Sequence, residues 1–397
     1  MWQKLNLGED FQSGKEIKVA HVSTFGIKCG ISIYLENLLD HIIPGNRNIE
    51  HVVFAAKIRA GEDRNLSLQN IPPVIRAWSK GKNLDMLISK IMKYKPDVLH
   101  IQHEWSFFPV YSKLYKLLLE SKTLEITNII TWHTVISRKD SLNPLAMATF
   151  YESIDSVVDL HIVFTTECID ILRSWGISRN KIKHIPSPAF PVIGIPKLEA
   201  REKMLPDNYW NKKLVVTTGF FAPHKGIEGI IDAIAMQNEG KGNIALVRIG
   251  SSHPLLKSKY RNFYEEYAAQ KKVDMYSDER FISDEELSNY LACADVIVLN
   301  YLFTPAGTSA AGRRALSSKR PIIVTDVPLF QDLEDGVNCL KVSSNNPEAL
   351  AIAIKSLLNN EYLNIKLVSN ATSYAERISH KCVAETHVKT YKLFRRM

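Results

Sequence analysis

The stretch LVVTTGFFAPHKGIEGIIDAI, residues 214–234, contains a predicted strand, a short loop and a predicted helix. The apolar run LVVTTGF is typical of a buried strand, and isoleucines then recur at the spacing of one helix face, at positions 227, 230, 231 and 234. Pro223 restricts the loop, and Gly226 lets the backbone turn into the helix. A strand that leads directly into an amphipathic helix is half of a βαβ unit, and it predicts a parallel sheet.

Lys225 lies in this loop, beside the predicted N-terminus of the helix. A lysine there suits a diphosphate, because its charge adds to that of the free N–H groups at the helix N-terminus. The glycine follows the lysine, so the spacing does not fit the GxxxxGK[ST] phosphate loop. Spacing alone leaves two interpretations open, which are a phosphate contact and an exposed lysine in an ordinary turn.

Strand and helix patterns alternate along the rest of the chain. The predicted strands are IKVAHVSTF, DVLHIQ, TNIITWH and DLHIVFT in the first half, and NIALVRIG, VDMYS, ADVIVLNY and PIIVTD in the second. Ser283, followed by Glu286 three residues later, predicts a capping box. A proline-rich stretch at 184–212 interrupts the rhythm and predicts an irregular interdomain connection. The chain is therefore an α/β protein with two Rossmann-like domains, predicted at 1–190, joined by a C-terminal helix at 375–397, and at 191–374.

Composition narrows the class of protein. The 397 residues are 45% hydrophobic and 23% charged, which is typical of a globular protein. Lys and Arg number 50 against 42 Asp and Glu, without long runs of like charge, so nucleic acid is not an expected partner. Five dispersed cysteines without a CxxC favour a reduced, cytoplasmic chain without a zinc site. No signal-peptide pattern and no apolar run of ~18 residues is present, so we expect a soluble protein.

Two further glycine-containing loops follow predicted strands. GIKCGI (26–31) places Gly30 where helix N–H groups are free, although an ordinary turn explains it as well. FTPAGTSAAGRRAL (303–316) offers N–H groups and hydroxyls to a phosphate through Gly307, Thr308 and Ser309, and Arg313 lies one turn later. N-capping by Thr308 or Ser309 is the alternative interpretation of the hydroxyls.

Histidines end two other predicted strands. His103 and Glu104 lie in QHEW, and His133 lies in TWHT, so both sets belong to the carboxyl edge of a sheet, where ligands bind. A lone histidine at a strand end is more often structural than catalytic. His100 and His103 are three residues apart on a strand and point to opposite faces, which makes a shared metal improbable. The sequence contains no DxD pair, so no metal site is expected.

In their order along the chain, these motifs resemble those of GT-B glycosyltransferases, in particular the retaining enzymes of glycosyltransferase family 4. The segments that carry the resemblance are CGISIY (29–34), QHE (102–104), WHT (132–134), GFFAPHKG (219–226) and GSSHP (250–254). The resemblance covers nearly the whole chain. It implies two Rossmann-like domains that face an interdomain cleft, with the acceptor bound mainly by the N-terminal domain and a nucleotide-diphosphate sugar mainly by the C-terminal one.

The resemblance also implies roles for individual residues. Lys225 would stabilise the leaving diphosphate, His133 would lie near the transferred sugar, and His103 and Glu104 would lie on the acceptor side. Donor-binding residues would be Gly30, Gly219, Phe220, Gly250, His253, Phe281, Gly307, Thr308, Ser309 and Arg313. The nucleotide sugar would be a co-substrate, and neither a cofactor nor a metal is expected.

The chain departs from the family pattern at several positions. The E-x7-E pair of family 4 corresponds here to Ala306 and Arg314, and Phe220 stands where many members have an arginine. An H-G pair in the interdomain stretch is replaced within IPSPAF (185–190). Candidates for a second diphosphate-binding cation are His224, Arg248 and Arg313.

The expected function is that of a metal-independent, retaining glycosyltransferase. It would move a sugar to a hydroxyl of a glycan or a lipid-linked glycan, in cell-envelope polysaccharide synthesis, in the cytoplasm or at the inner face of the membrane. Two alternatives remain open at this point. A catalytically idle GT-B partner or binding subunit would explain the missing glutamates, and a GT-B sugar-nucleotide epimerase would need no acceptor. A dehydrogenase is disfavoured, because neither domain has a dinucleotide fingerprint.

Overall fold

The computed structural model describes residues 17–62, 69–192, 195–219, 222–238, 243–250, 259–280 and 282–394. Its strands are β1 (Ile17–Ser23), β2 (Ile49–Ala56), β3 (Val74–Trp78), β4 (Val98–His103), β5 (Thr127–Trp132), β6 (Thr134–Val135), β7 (Leu160–Val163), β8 (Ile182–His184), β9 (Lys213–Thr218), β10 (Ile244–Ile249), β11 (Met275–Asp278), β12 (Val296–Leu299), β13 (Ala306–Gly307), β14 (Ile322–Thr325) and β15 (Leu340–Val342). Its helices are α1 (Gly30–Ile42), α2 (Asp85–Tyr94), α3 (Tyr111–Thr123), α4 (Pro144–Val157), α5 (Thr166–Ser174), α6 (Lys197–Met204), α7 (Ile227–Asn238), α8 (Lys259–Gln270), α9 (Asp284–Ala292), α10 (Ala310–Leu316), α11 (Pro347–Asn359), α12 (Glu361–Arg377) and α13 (His380–Leu393).

The strands form two large sheets and one short ribbon. The first sheet has the order β3-β2-β1-β4-β5-β7-β8, and the second has the order β11-β10-β9-β12-β14-β15. All five pairs of the second sheet are parallel, as the strand-to-helix alternation predicts. The strand order reverses at β9 and β12, which is the point of a doubly wound sheet where ligands bind at the carboxyl ends.

Both faces of the second sheet are buried. Along β9, Leu214 and Val216 pack into one hydrophobic cluster, while Val215 between them packs into another on the opposite face. The helices that cover a parallel sheet on both sides explain why its strands are continuous apolar runs in the sequence. The predicted capping box is confirmed: the Ser283 hydroxyl accepts a hydrogen bond from the Glu286 N–H, and the Glu286 carboxylate accepts one from the Ser283 N–H.

The stretch 184–212, predicted to be irregular, contains helix α6. The prediction missed this helix because it is held by polar contacts rather than by an apolar stripe. Arg201 is 5% exposed, and its guanidinium donates hydrogen bonds to Asp295 at 2.7 Å and to the carbonyl oxygens of Cys293 and Trp210. Such distant partners leave no periodic signal within the helix itself, so tertiary contacts decide this element.

The described chain divides into two compact units. The first comprises the described residues up to Thr131, Ser153–His161 and the described residues from Ala384 onward. The second comprises Trp132–Glu152 and Ile162–Val383. The domain ranges taken from the sequence, 1–190 with 375–397 and 191–374, have other bounds and stay a prediction. Within the described ranges, none of the helices combines the length and the apolar character needed to cross a membrane.

A cluster of four buried histidines joins strands β1, β2 and β4 of the first unit to α13. It consists of His21, His51, His100 and His387, none of which is more than 5% exposed. Nε2 of His21 lies 3.0 Å from Nδ1 of His51, and the rings of His100 and His387 are stacked at 5.6 Å. The hydroxyl of Tyr391 on α13 lies 2.7 Å from Nδ1 of His100. Burial lowers the pKa of His51 to about 4 and, together with the three neighbouring histidines, lowers that of His21 well below its ordinary value.

Acidification from pH 6.5 towards pH 4 is therefore expected to destabilise the first unit. In that range the unfolded chain binds protons that the buried histidines exclude, so the free energy of unfolding falls as the pH falls. His51→Gln removes one of these groups. The free energy of unfolding should then depend less steeply on pH, by up to about 1.4 kcal/mol per pH unit, which corresponds to one proton. Urea unfolding at a series of pH values measures the slope, with His41→Gln at an exposed position as the control. Equal slopes in the wild type and in His51→Gln would contradict the expectation.

Candidate functional site

The candidate site lies where the second sheet reverses its strand order. Gly219 follows β9, and Asn300 and Tyr301 follow β12, so all three lie at the carboxyl edge on either side of the reversal. The loop between β9 and α7 contains a short 3-10 turn at Pro223–Lys225. The segment that follows β12 is hydrogen-bonded to this loop. The Asn300 side-chain amide donates a hydrogen bond to the carbonyl oxygen of Gly226, and the Leu302 N–H donates one to the carbonyl oxygen of His224, both at 2.8 Å.

The ammonium of Lys225 is in contact with neighbouring residues of the site. Its Nζ lies 3.5 Å from the centre of the Tyr301 ring, over the ring face. A Cβ atom added to Gly219 would lie 3.5 Å from the same Nζ. The ammonium therefore lies over an aromatic face and close to a glycine, in the loop that precedes α7.

Two glycines at this edge are required by close approach of the backbone, and a third, Gly219, by its backbone angle. A Cβ at Gly226, which has a φ of 57°, would lie 2.4 Å from the carbonyl oxygen of Asn300. A Cβ at Gly250, which has a φ of 138°, would lie 2.2 Å from the carbonyl oxygen of Gly219, whose own φ is 126°. At Gly226 and Gly250 no side chain fits without movement of the backbone, so these two glycines fix the shape of the sheet edge.

Tyr301 connects Lys225 to the segment Gly307, Thr308 and Ser309, called the GTS motif below. Its hydroxyl lies 3.3 Å from Oγ of Ser309, which is the N-cap of α10 and accepts a hydrogen bond from the Gly312 N–H. N-capping, the alternative considered for this hydroxyl, is therefore observed for Ser309. Thr308 is partly buried beside it. The lysine loop and the GTS motif, which are far apart in the sequence, thus meet at one tyrosine.

His133 and Gly307 are also brought together. Strand β6 pairs antiparallel with β13, with Thr134 opposite Gly307, and a Cβ at Gly307 would lie 2.6 Å from the carbonyl oxygen of His133. The His133 ring packs edge-on against Phe164 at 5.1 Å. Burial lowers its pKa to about 3, so the ring is neutral at pH 7 and suits hydrogen bonding to a hydroxyl rather than pairing with an anion.

The predicted acceptor-side residues and Gly30 have less distinctive surroundings. His103 is fully buried, with its ring edge-on to Trp105 at 4.8 Å and stacked on Phe108 at 5.9 Å. The Glu104 carboxylate accepts a hydrogen bond from the Trp105 N–H at 2.9 Å. Gly30 is the first residue of α1, and a Cβ there would meet nothing within 4 Å. Their functional roles stay predictions.

Two of the three candidates for a second cation already bind carboxylates. Arg313 is 3% exposed and pairs with Asp332 at 2.5 Å. Arg248 is fully buried, pairs with Glu279 at 2.8 Å and lies over the ring of Tyr264. Their charges are therefore largely compensated in this structure. The third candidate, His224, is exposed and directly precedes Lys225 in the same loop.

Two departures from the family pattern are in contact with each other. The guanidinium of Arg314, at the second position of the E-x7-E pair, lies 3.7 Å from the ring centre of Phe190 in the altered IPSPAF segment. Arg314 also pairs with Asp284 at 2.6 Å. The arginine and the changed segment thus form one local arrangement, in which a carboxylate at position 314 would lose both contacts.

Three predicted donor-binding residues, Phe220, His253 and Phe281, lie outside the described residues. In the described part of the chain, no group of three or more His, Cys, Asp and Glu side chains is suited to bind a metal ion.

Asn300 and Tyr301 were not identified from the sequence as site residues. Their position at the end of the apolar run ADVIVLNY is the signal that could have identified them, since it places them at the carboxyl edge.

Two segments of the chain match known glycosyltransferase families. Residues 29–189 match the family described as Glycosyltransferase Family 4, and residues 212–360 match the family described as Glycosyl transferases group 1. The first range contains Gly30, His103 and His133, and the second contains Lys225 and the GTS motif.

Individual proteins agree with these matches. An uncharacterized glycosyltransferase of Methanocaldococcus jannaschii is 26% identical over 374 residues, which are 89% of this chain and 92% of that protein. The mannosylfructose-phosphate synthase of Agrobacterium fabrum is 24% identical over 211 residues, which are 52% of this chain and 46% of that protein.

Solved structures share the fold at low identity. Anabaena HepE in complex with UDP has a TM-score of 0.75 and 14% identity, and the match covers 95% of this chain and 100% of that one. The sucrose-phosphate synthase of Thermosynechococcus elongatus has a TM-score of 0.73 and 18% identity, covering 95% and 99%. The GT-B fold class predicted from the sequence is confirmed, and the chain belongs to the GT-B glycosyltransferases, with a family 4 region followed by a group 1 region.

Proposed function

We propose that this glycosyltransferase transfers a sugar, with retention of configuration and without a metal ion, from a nucleotide-diphosphate sugar to a hydroxyl acceptor. The observation that carries the proposal is the position of Lys225. Its ammonium lies over Tyr301, and the hydroxyl of Tyr301 lies against Ser309. Two motifs to which the family resemblance assigns diphosphate contacts thus converge on one point of the sheet edge. The UDP bound by HepE, which shares the fold, is consistent with such a donor.

In the proposed reaction, the acceptor oxygen bonds to the anomeric carbon on the face from which the diphosphate leaves. The bond between that carbon and the phosphate oxygen breaks, and a β-phosphate oxygen takes the proton of the hydroxyl. Negative charge builds up on the departing diphosphate, so a fixed cation lowers the barrier. Lys225 supplies this charge, and neutral His133 is proposed to hold a hydroxyl of the transferred sugar.

The acceptor proposed is a glycan or a lipid-linked glycan of the cell envelope, with the protein in the cytoplasm or on the inner face of the membrane. Assays with soluble and lipid-linked acceptors, together with co-sedimentation with vesicles, check this part. Transfer to neither class of acceptor would contradict it.

A thermal-shift screen of nucleoside diphosphates and their sugars, in the presence of a chelator, tests the donor. We expect one donor to stabilise the protein, by about 2.7 kcal/mol at a hundredfold excess over its dissociation constant. The anomeric configuration of the product, determined by NMR, then tests retention. Stabilisation by none of the ligands would instead support the idle partner, and conversion of the donor without an acceptor would support the epimerase.

A further inference from the structure

The aromatic face beneath Lys225 is shielded from water. Tyr301 is 2% exposed, and the Lys225 Nζ lies 3.5 Å from its ring centre. The attraction between an ammonium and an aromatic face increases when water is excluded from the contact. This contact is therefore of the stronger kind, although Lys225 itself remains partly exposed.

Tyr301 is held through its ring, its hydroxyl and its backbone. Phe330 packs against it with ring centres 5.0 Å apart, and its hydroxyl lies 3.3 Å from the Ser309 Oγ. The hydroxyl of Thr325 donates a hydrogen bond of 2.7 Å to the carbonyl oxygen of Tyr301. A ring held in this way offers a constant surface to the flexible side chain above it.

We propose that Tyr301 is a positioning residue, whose ring holds the Lys225 ammonium ready for the diphosphate and whose hydroxyl couples it to Ser309. This inference rests on the proposed function, because the diphosphate is the ligand that Lys225 would meet. A lysine loses considerable rotamer freedom when it binds a ligand. A side chain already held over an aromatic face and close to Gly219 has lost part of that freedom beforehand, which favours binding.

Calorimetric titration with the nucleoside diphosphate that stabilises the wild type most tests the role. Tyr301→Phe keeps the ring face and should bind within about threefold of the wild type. Tyr301→Leu removes the face and should weaken binding roughly five- to thirtyfold. In the Lys225→Ala background, Tyr301→Leu should have little further effect, since the two residues would act through one contact.

Two controls separate positioning from packing. Ile354→Ala disturbs the hydrophobic cluster on the opposite face of the second sheet, which does not include Tyr301, so it should lower the melting temperature without a comparable loss of affinity. Trifluorophenylalanine at position 301 keeps the shape of phenylalanine but weakens the negative face of the ring, so it should bind more weakly than Tyr301→Phe.

The outcomes distinguish this inference from the proposed function. If the wild type binds a nucleoside diphosphate and Tyr301→Leu binds it equally well, the positioning role is overturned and the proposed function stands. An equal loss of affinity for Tyr301→Leu in the presence and absence of Lys225 would also overturn the role. If the wild type binds none of the nucleoside diphosphates, the proposed function itself fails.

Discussion

Lys225→Ala is expected to lower turnover about a hundredfold, which is close to 2.7 kcal/mol of transition-state stabilisation. The reason is the position of the ammonium at the carboxyl edge of the second sheet, beside Gly219 and the start of α7. The two arginines that were candidates for a second cation, Arg248 and Arg313, are already paired with carboxylates. Steady-state kinetics with the donor found in the thermal-shift screen measures the effect.

Two variants serve as controls for Lys225→Ala. Lys225→Arg keeps the charge but changes its geometry, so it should retain part of the turnover. Lys355→Ala removes an exposed lysine from α11 in the same unit and should behave as the wild type. Turnover of Lys225→Ala within a factor of three of the wild type, at an unchanged melting temperature, would remove the basis for the assigned role.

Gly250→Ala is expected to destabilise the second unit by about 4 kcal/mol. Its Cβ would lie 2.2 Å from the carbonyl oxygen of Gly219 and 2.9 Å from the carbonyl carbon, so backbone would have to move on one side or the other. The φ of 138° adds strain for any residue with a side chain. Strained backbone and overpacking each cost about 1–3 kcal/mol. Because Gly219 also borders the ammonium of Lys225, we expect donor affinity to fall as well.

Gly176→Ala is the matched control, since Gly176 also lies in the second unit and has a φ of 98°, but a Cβ there would meet nothing within 4 Å. The difference between the two variants in urea unfolding isolates the contribution of the close contact. Equal losses of stability would mean that the backbone angle, and not the approach to Gly219, requires the glycine at position 250.

Much of the fold could be predicted because parallel sheets leave a strong local signal. Runs such as LVVTTGF are apolar on both faces, and the helices that follow show one apolar stripe each. The capping box at Ser283 was equally local, since its two partners are three residues apart. Helix α6 was missed because Arg201 finds its carboxylate, Asp295, 94 residues away.

The candidate site was predictable only in part, for a similar reason. Lys225 and Ser309 could be proposed from loops that follow strands, but the tyrosine that connects them lies at the end of an apolar run, where it resembles a core residue. The pairing of Arg313 with Asp332 was also not visible from the sequence, because an arginine near a helix N-terminus looks the same whether it is paired or not. Contacts between distant residues require the tertiary structure.

The histidine cluster has a consequence for the order in which the chain acquires its structure during synthesis. His100 on β4 meets Tyr391 on α13, and these residues are 291 positions apart. At about 5–20 residues per second, the ribosome needs roughly 15 to 60 s to deliver the second partner after the first. Throughout that interval Nδ1 of His100 lacks the tyrosine hydroxyl, while most of the second unit is synthesised. The histidine cluster of the first unit can therefore be completed only after α13 has been synthesised.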